Sequence, residues 1–402
     1  MKYTSDKQEN LLWNKVLFTL GTILLYFIGR SLPLYQVDVA AYADKVISAE
    51  AVLLQVIRGD RYQYSLLALG ISPYMISNIL TMMCNAFKSS EARARVSQRK
   101  MNRRTMKMTL IFSVLMAVMQ APKLQFKMVG DMFPFVIVVA CVEMIAGSMF
   151  IIWLAGRNKK YGIGGQSALI FVNLLDSFYN TLRGHAGREL VITLVLTAIS
   201  IVAMAIMENK EKRIPLQRVS IHNIYADKNY LAIKMNPIGV MPAMFSMAMF
   251  MLIQLVVSLF GLFFAEHPYY LWIVEQMVLT KPLGISVYVV CVYVLSIVFS
   301  RALLNPQETT EQFLKSGDSI QNIHAGKETK KYLSGVITGL ALLSATVMAC
   351  CLSVPLVLQM RGELQGALAT LPSSAMMLVG VVCNMWREVV AIHHLEGYKP
   401  FI

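Results

Sequence analysis

Two acids stand where acids are expensive. Glu143 lies inside the apolar run 133–155 and Asp176 inside 165–181. A carboxylate at that depth in a membrane serves either polar packing between helices or a proton relay. A relay would make the chain an ion-coupled secondary transporter, although such a device ordinarily uses more ionisable groups at mid-depth than these two. Polar packing against Asn173 or a buried hydroxyl is the simpler account. Elsewhere the reactive residue types lack the spacing that chemistry needs. Gly326-Lys327-Glu328-Thr329 has no glycine-rich loop before it, and Gly162-Ile163-Gly164-Gly165 has no strand in front of it. No H-E-x-x-H and no G-x-S-x-G is present. His393-His394 has no further ligands nearby and reads as a pair of tail histidines near headgroups. The cysteines at 84, 141, 291, 350, 351 and 383 show neither metal-ligand nor disulfide-framework spacing. No catalytic residue, metal or cofactor is expected, and the chain does not read as an enzyme.

Prolines and methionines are more informative. Gly70-Ile71-Ser72-Pro73-Tyr74-Met75-Ile76 and Gly239-Val240-Met241-Pro242-Ala243-Met244-Phe245 share the pattern Gly-[Ile/Val]-x-Pro-x-Met-apolar, 169 residues apart. Each falls at the second helix of a five-helix half. Five is odd, so the second half would enter the membrane from the opposite face, an inverted repeat of the kind that builds a pathway between halves. A proline inside a helix removes a donor and loosens the preceding turn. Kinks are therefore predicted at Pro73 and Pro242, with Gly70, Pro73, Gly239 and Pro242 as gate hinges. Met75 and Met244 follow two residues later, and methionine is unbranched and adapts to varied shapes.

The elements that position these residues follow from composition. The chain has 402 residues, is 56% hydrophobic and only 15% charged, against about 45–50% and about 25% for ordinary soluble domains. That excludes a soluble globular, disordered, collagenous or disulfide-framework protein. Spans are read at 16–34, 65–83, 108–121, 133–155, 165–181, 190–207, 237–264, 283–303, 333–359 and 367–386, each near the length that crosses a bilayer. The expected fold is an all-α polytopic membrane protein with about ten transmembrane helices in two halves, 1–187 and 188–402. The third span is short and should borrow a turn from 103–107. The first runs into Arg30 and Pro33 with no small-x-small site after it, so it reads as an uncleaved helix.

Net charge is +14, and its distribution sets orientation. With the N-terminus inside, 27 of the 37 Lys and Arg fall on the inner side, a positive-inside pattern that puts both termini in the cytoplasm. The segment 38–60 carries an apolar face on a stretch too short to span. It reads as a re-entrant or interfacial helix, or as a loop on the membrane surface. The long inner loops 208–234 and 304–331 have apolar anchors and read as structured docking elements.

Assembled in order, these motifs resemble the SecY-type protein-conducting channel of the bacterial plasma membrane. Leu67-Ala68-Leu69-Gly70-Ile71-Ser72-Pro73-Tyr74 is similar to the family's second-helix signature, and Tyr161-Gly162-Ile163-Gly164-Gly165 to its turn into the fifth helix. Lys212-Arg213-Ile214-Pro215-Leu216-Gln217 resembles the basic stretch after the sixth. Asn236-Pro237-Ile238-Gly239-Val240-Met241-Pro242 resembles the start of the seventh, Asn305-Pro306-Gln307-Glu308 the stretch after the eighth, and Tyr398 a matching tail. The resemblance implies an hourglass pore between the halves and a plug helix at about 43–58. It also implies a lateral gate between helices two and three and helices seven and eight. Carried over, the pore ring would be Ile71, Met75, Phe171, Leu175, Met244 and Met377, softer than the isoleucine ring the family typically uses.

One departure narrows the resemblance. Where the family carries I-P-G-I-R-P-G, this chain reads Ile320-Gln321-Asn322-Ile323-His324-Ala325-Gly326, with His324 at the arginine. That change, with clipped outer loops, looks like the accessory branch found in Gram-positive bacteria, which exports serine-rich glycosylated adhesins. The housekeeping channel of general secretion is the alternative. The implied partners are an accessory SecA-type motor ATPase, a small SecE-like subunit, accessory secretion proteins, the secreted polypeptide and membrane lipids, with no nucleic acid. The motor would dock on Lys212, Arg213, Arg218, His324 and Lys327.

Overall fold

The uncharged run 190–207 becomes the middle of a 22-residue helix, Arg188–Asn209, because in hydrocarbon each backbone N–H and C=O must find its partner within the segment. The same reasoning holds for the other apolar runs. The computed structural model describes residues 11–38, 64–86, 96–127, 133–183, 187–218, 230–264, 267–364 and 368–397. Within them the long helices are α1 (Leu11–Ser31), α2 (Ser72–Ala86), α3 (Gln98–Gln120), α4 (Phe133–Tyr161), α5 (Gln166–Arg183) and α6 (Arg188–Asn209). The second set is α7 (Met241–Phe264), α9 (Pro282–Leu304), α11 (Lys327–Met360) and α12 (Leu371–Gly397), with two short helices, α8 (Pro268–Gln276) and α10 (Pro306–Ser316), between them. Seven described helices are long and apolar enough to cross a membrane. Of the others, α2 has only 15 residues and α3 opens on a strongly basic first third. The chain is a multi-pass, ten-helix membrane protein.

The two halves repeat one packing scheme. In the first, α2 packs on α3, α3 on α4, and α1 on α4 and α5; in the second, α7 packs on α9, α9 on α11, and α6 on α11 and α12. The halves meet where α2 lies against α7 and α9, and where α12 lies against α5 and α1. Small hydroxyl residues let the helices approach. Thr105 donates to Thr81 across α3 and α2 at 3.3 Å, and Ser148 donates to Ser113 across α4 and α3 at 3.0 Å.

Several sequence expectations need correction. Ser65 bridges to Pro33, residues 66–71 form turns, and α2 starts only at Ser72. Pro73 and Pro242 therefore each occupy the second residue of a helix and kink nothing, because the first-turn N–H has no intrahelical acceptor to lose. The repeat survives this in sharper form. Gly70 and Gly239 both adopt positive φ, at 54° and 74°, and Ser72 and Met241, 169 residues apart, both begin helices. The α3 helix extends to Gln98 behind the N-cap Ser97, further than the single borrowed turn. The plug segment 43–58 and Tyr398 lie outside the described residues.

Parts of the two long loops fold together. β1 (Glu211–Arg218) pairs antiparallel with β2 (Tyr230–Lys234) on one side and β3 (Asp318–Ile320) on the other, in the order β2-β1-β3. The sheet's apolar face, Ile214, Ile233 and Ile320, packs on Leu333, Ile337 and Leu340 of α11. Lys212 and Arg213 are both exposed, but on opposite faces of β1, Lys212 on the side of Ile214 and Arg213 on the outer side. The stretch 304–331, read from sequence as one long loop, contains α10 and β3 as well.

Candidate pore and gate

The ring candidates come from four helices. Ile71 closes the turn before α2, Met75 is in its first turn, Met244 is at the matching place on α7, and Met377 is on α12. The backbone is equivalent at the two repeats: Met75 N–H bonds to Ile71 C=O at 3.0 Å, and Met244 N–H to Val240 C=O at 3.2 Å. Ile71, Met75, Met244 and Met377 are buried in the main apolar cluster, with Phe171 of α5 packed half-buried against it. Leu175, one turn along α5, stands outside that cluster and is 43% exposed.

The helices beside the ring form two tight pairs with a seam between them. On one side α2 and α3 are joined by the threonine pair and by Asn85, whose amide donates to Met101 sulfur at 2.8 Å. On the other, α7 and α9 interlock through edge-to-face rings, Phe245 on Phe299 at 5.4 Å and Phe250 on Tyr288 at 6.2 Å. Each such pair contributes about 0.5–1.5 kcal/mol beyond its buried area. Across the seam α2 meets α7 and α9.

Each repeat turn is held differently. Before α2, Leu66 and Leu67 press into clefts left by glycines. A Cβ on Gly147 of α4 would fall 2.0 Å from the Leu66 carbonyl oxygen, and one on Gly29 of α1 would fall 2.9 Å from Leu67. Before α7, the clamp is ionic. Asn236 donates its side-chain amide to Glu208 Oε1 at 3.1 Å, and its N–H bonds to the Met207 carbonyl at 3.2 Å. Arg387 of α12 donates to the Glu208 carboxylate at 3.0 Å and to its carbonyl at 2.6 Å. The Glu208 side chain is fully buried. Partial burial, reinforced by the Arg387 charge, holds the nearby Lys234 ammonium below its ordinary range.

The two intramembrane acids are tied to separate partners. Asp176 on α5 pairs with Arg30 of α1 at 2.5 Å, one turn beyond Asn173, which accepts from Tyr26 at 2.8 Å. Glu143 accepts the Tyr35 N–H at 2.9 Å, fixing the chain as it leaves α1. Polar packing thus accounts for both. The pairings of Arg30, Glu208, Arg387 and Glu388 were missed in the sequence reading, because a charge near a span end looks the same whether it sets topology or pairs internally.

The docking candidates lie on one assembly of the two long loops. Lys212 and Arg213 are on β1, with the Arg213 guanidinium 4.7 Å from the Tyr230 ring centre. Arg218 ends β1 opposite Asp318 in the ladder. His324 sits on the exposed turn before α11, its carbonyl accepting from Thr329 at 2.8 Å, and Lys327 opens that helix.

Known proteins resemble this chain along nearly its whole length. The sequence profile described as SecY matches residues 65–386. The accessory Sec system protein translocase subunit SecY2 of Streptococcus agalactiae serotype Ia is 27% identical over 405 residues, covering 99% of this chain and 98% of that protein. A solved protein-conducting channel superposes with a TM-score of 0.67 at 17% identity, covering 96% of this chain and 93% of that one. A SecY structure, whose plug domain is described as stabilising the closed state and maintaining a membrane seal, superposes at 0.63 with 17% identity and the same coverage, 96% and 93%. At such identities the two structures carry the fold alone.

Proposed function

The chain belongs to the SecY family, and from that premise we propose that it is the protein-conducting channel subunit of a plasma-membrane preprotein translocase. The observation that carries this reading is the repeat itself: two equivalent glycine turns set Met75 and Met244 in one buried apolar cluster with Ile71 and Met377, Phe171 packing half-buried against it. An apolar constriction offers water no partners and dewets when closed, yet gives a passing polypeptide nothing to bind. The ring comprises these five residues with Leu175 one turn beyond, the hinges are Gly70 and Gly239 with Pro73 and Pro242 starting the helices, and the halves divide near residue 187. Both termini face the cytoplasm. The channel itself makes and breaks no bonds. Energy comes from a separate SecA-type motor that docks on Lys212, Arg213, Arg218, His324 and Lys327, and a small SecE-like subunit completes the complex.

The accessory branch is favoured over general secretion by the full-length likeness to accessory SecY2 and by His324 in place of a permanently charged arginine. Its cargo is then a secreted, serine-rich glycosylated adhesin. The segment 43–58 acts as the plug, and its deletion should raise resting ion conductance.

Crosslinking to a polypeptide stalled in transit tests the pore. A single cysteine replacing Met75, Met244 or Met377 should bond to a cysteine in the stalled chain. Ile199→Cys, on the exposed face of α6, should not. Adducts at Ile199 without any at Met244 would refute the assignment.

A further inference from the structure

Two consecutive residues of α12, Arg387 and Glu388, reach in different directions, as neighbours about 100° apart on a helix must. Arg387 binds Glu208 at the end of α6, its Nη2 donating to the carbonyl oxygen at 2.6 Å and to Oε2 at 3.0 Å. Glu388 accepts the Gly164 N–H at 2.9 Å, from the turn before α5. The first contact stays within the second half of the molecule, and the second crosses to the first half.

The two ends of this connection are held by different contacts. The Gly164 turn is fixed from several sides. Asn158 donates to the carbonyls of Ile163 and Gly165 at 3.0 Å each, and Ile163 N–H bonds to Thr19 of α1 at 2.8 Å. Gly164 and Gly165 hold positive φ, at 73° and 49°. At the other end, Glu208 carries the turn that starts α7. It accepts from Asn236, and its Oε1 lies only 3.0 Å from where a Cβ on Gly239 would be. Asn384 and Gly380 of α12 adjoin the same turn, the latter leaving the space that Val240 fills. A continuous path of direct contacts therefore runs from the Gly164 turn through Glu388, Arg387 and Glu208 to the Gly239 hinge.

The matching turn before α2 is seated by leucines in glycine clefts, and among the described residues no ion pair joins it. Apolar seating is indifferent to a small displacement of charge, whereas a fully buried carboxylate deprived of its cation is strongly disfavoured. The α7 side is thus the one whose resting position depends on a discrete contact.

We propose that Arg387 and Glu388 are positioning residues for the gate: they clasp the α7 hinge to the first half and set α7 against α2 in the resting channel. This rests on reading α7 as a gate helix.

The test uses the full chain in its complex, reconstituted in lipid vesicles, with the five cysteines other than Cys383 replaced by serine. Cys383 lies one turn before Arg387 and within electrostatic reach of Glu208 and Arg387. Its reaction with a polar maleimide reports opening of the clasp whether or not the chain passes polypeptide. Arg387→Met should raise both resting ion conductance per channel and the Cys383 labelling rate at least threefold. Glu388→Met should raise them too, and Glu208→Met with Arg387→Met should return both toward the parent, because no charge is left buried alone. If Arg387→Met does not assemble, Arg387→Lys serves instead, with a smaller rise, since lysine keeps the charge but not the forked geometry. Unchanged labelling and conductance in assembled single variants, or a double variant as open as Arg387→Met, would overturn the clasp. A parent that exports nothing with its motor, but whose labelling responds as stated, would overturn the channel reading and leave the clasp standing.

Discussion

The guanidinium of Arg30 on α1 lies 2.5 Å from the carboxylate of Asp176 on α5, 146 residues away in the chain. The arginine side chain is 5% exposed and the aspartate 30%. One turn earlier on each helix, Tyr26 donates to Asn173. The acid that could have served a proton relay is instead part of a polar ladder joining the first and last helices of the first half.

Breaking that pair should cost more than removing it. Arg30→Met leaves Asp176 charged and half-covered, with a loss of about 3 kcal/mol, the low end for a buried pair because the aspartate keeps some solvent. Arg30→Met with Asp176→Leu should recover at least half. Thermal unfolding of the detergent-solubilised protein measures this, and equal losses in the single and double variants would contradict it.

Glu143→Gln removes a charge and keeps an acceptor for the Tyr35 N–H. Export per assembled channel should stay within about twofold of the parent, since a hydrogen bond that needs only an oxygen survives the change. Loss of most export, with normal assembly, would restore a relay.

The hinges should respond by type. Pro73 and Pro242 are buried, so an alanine at either place adds a first-turn N–H with no intrahelical acceptor and no water beside it, and each substitution should cost about 1–3 kcal/mol. Gly239→Ala must hold an alanine at φ 74° with a carboxylate oxygen 3.0 Å from its Cβ and should lose more than about 1 kcal/mol. Gly147→Ala should be worse still, as its Cβ would meet the Leu66 carbonyl oxygen at 2.0 Å. Gly21→Ala, with nothing within 4 Å, is the neutral control. The order of melting temperatures decides.

Charge reversal on the inner sheet should act on binding and spare topology. Arg213→Glu combined with Lys327→Glu should weaken motor binding in a flotation assay at least fivefold, with protease accessibility of both termini unchanged. His324→Arg should shift the choice between accessory and housekeeping motors. No change in either motor's binding would remove this position from the interface.

Much of the architecture was legible from local sequence. A span must satisfy its own backbone hydrogen bonds, so apolar length alone marks it, and 190–207 or 237–264 could hardly be anything else. The repeat was legible for a related reason: a positive-φ glycine followed by a helix-starting proline is a local requirement, repeated as Gly70-Pro73 and Gly239-Pro242. Their role was misread only because the helix boundaries were placed early, at 65 instead of 72 and at 237 instead of 241, which turned helix starts into kinks.

What sequence could not determine is which polar groups meet. Arg30 and Asp176, or Glu208 and Arg387, are 146 and 179 residues apart, and nothing in either segment names its partner. Placement of those pairs depends on how ten helices pack, a property of the whole chain. The sheet joining 211–218 with 230–234 and 318–320 is decided in the same way, since its third strand has only three residues and forms because β1 is there to receive its hydrogen bonds. Local chemistry sets where the chain crosses and turns, while only tertiary packing decides which charge is neutralised by which, and so what holds the turn that starts α7.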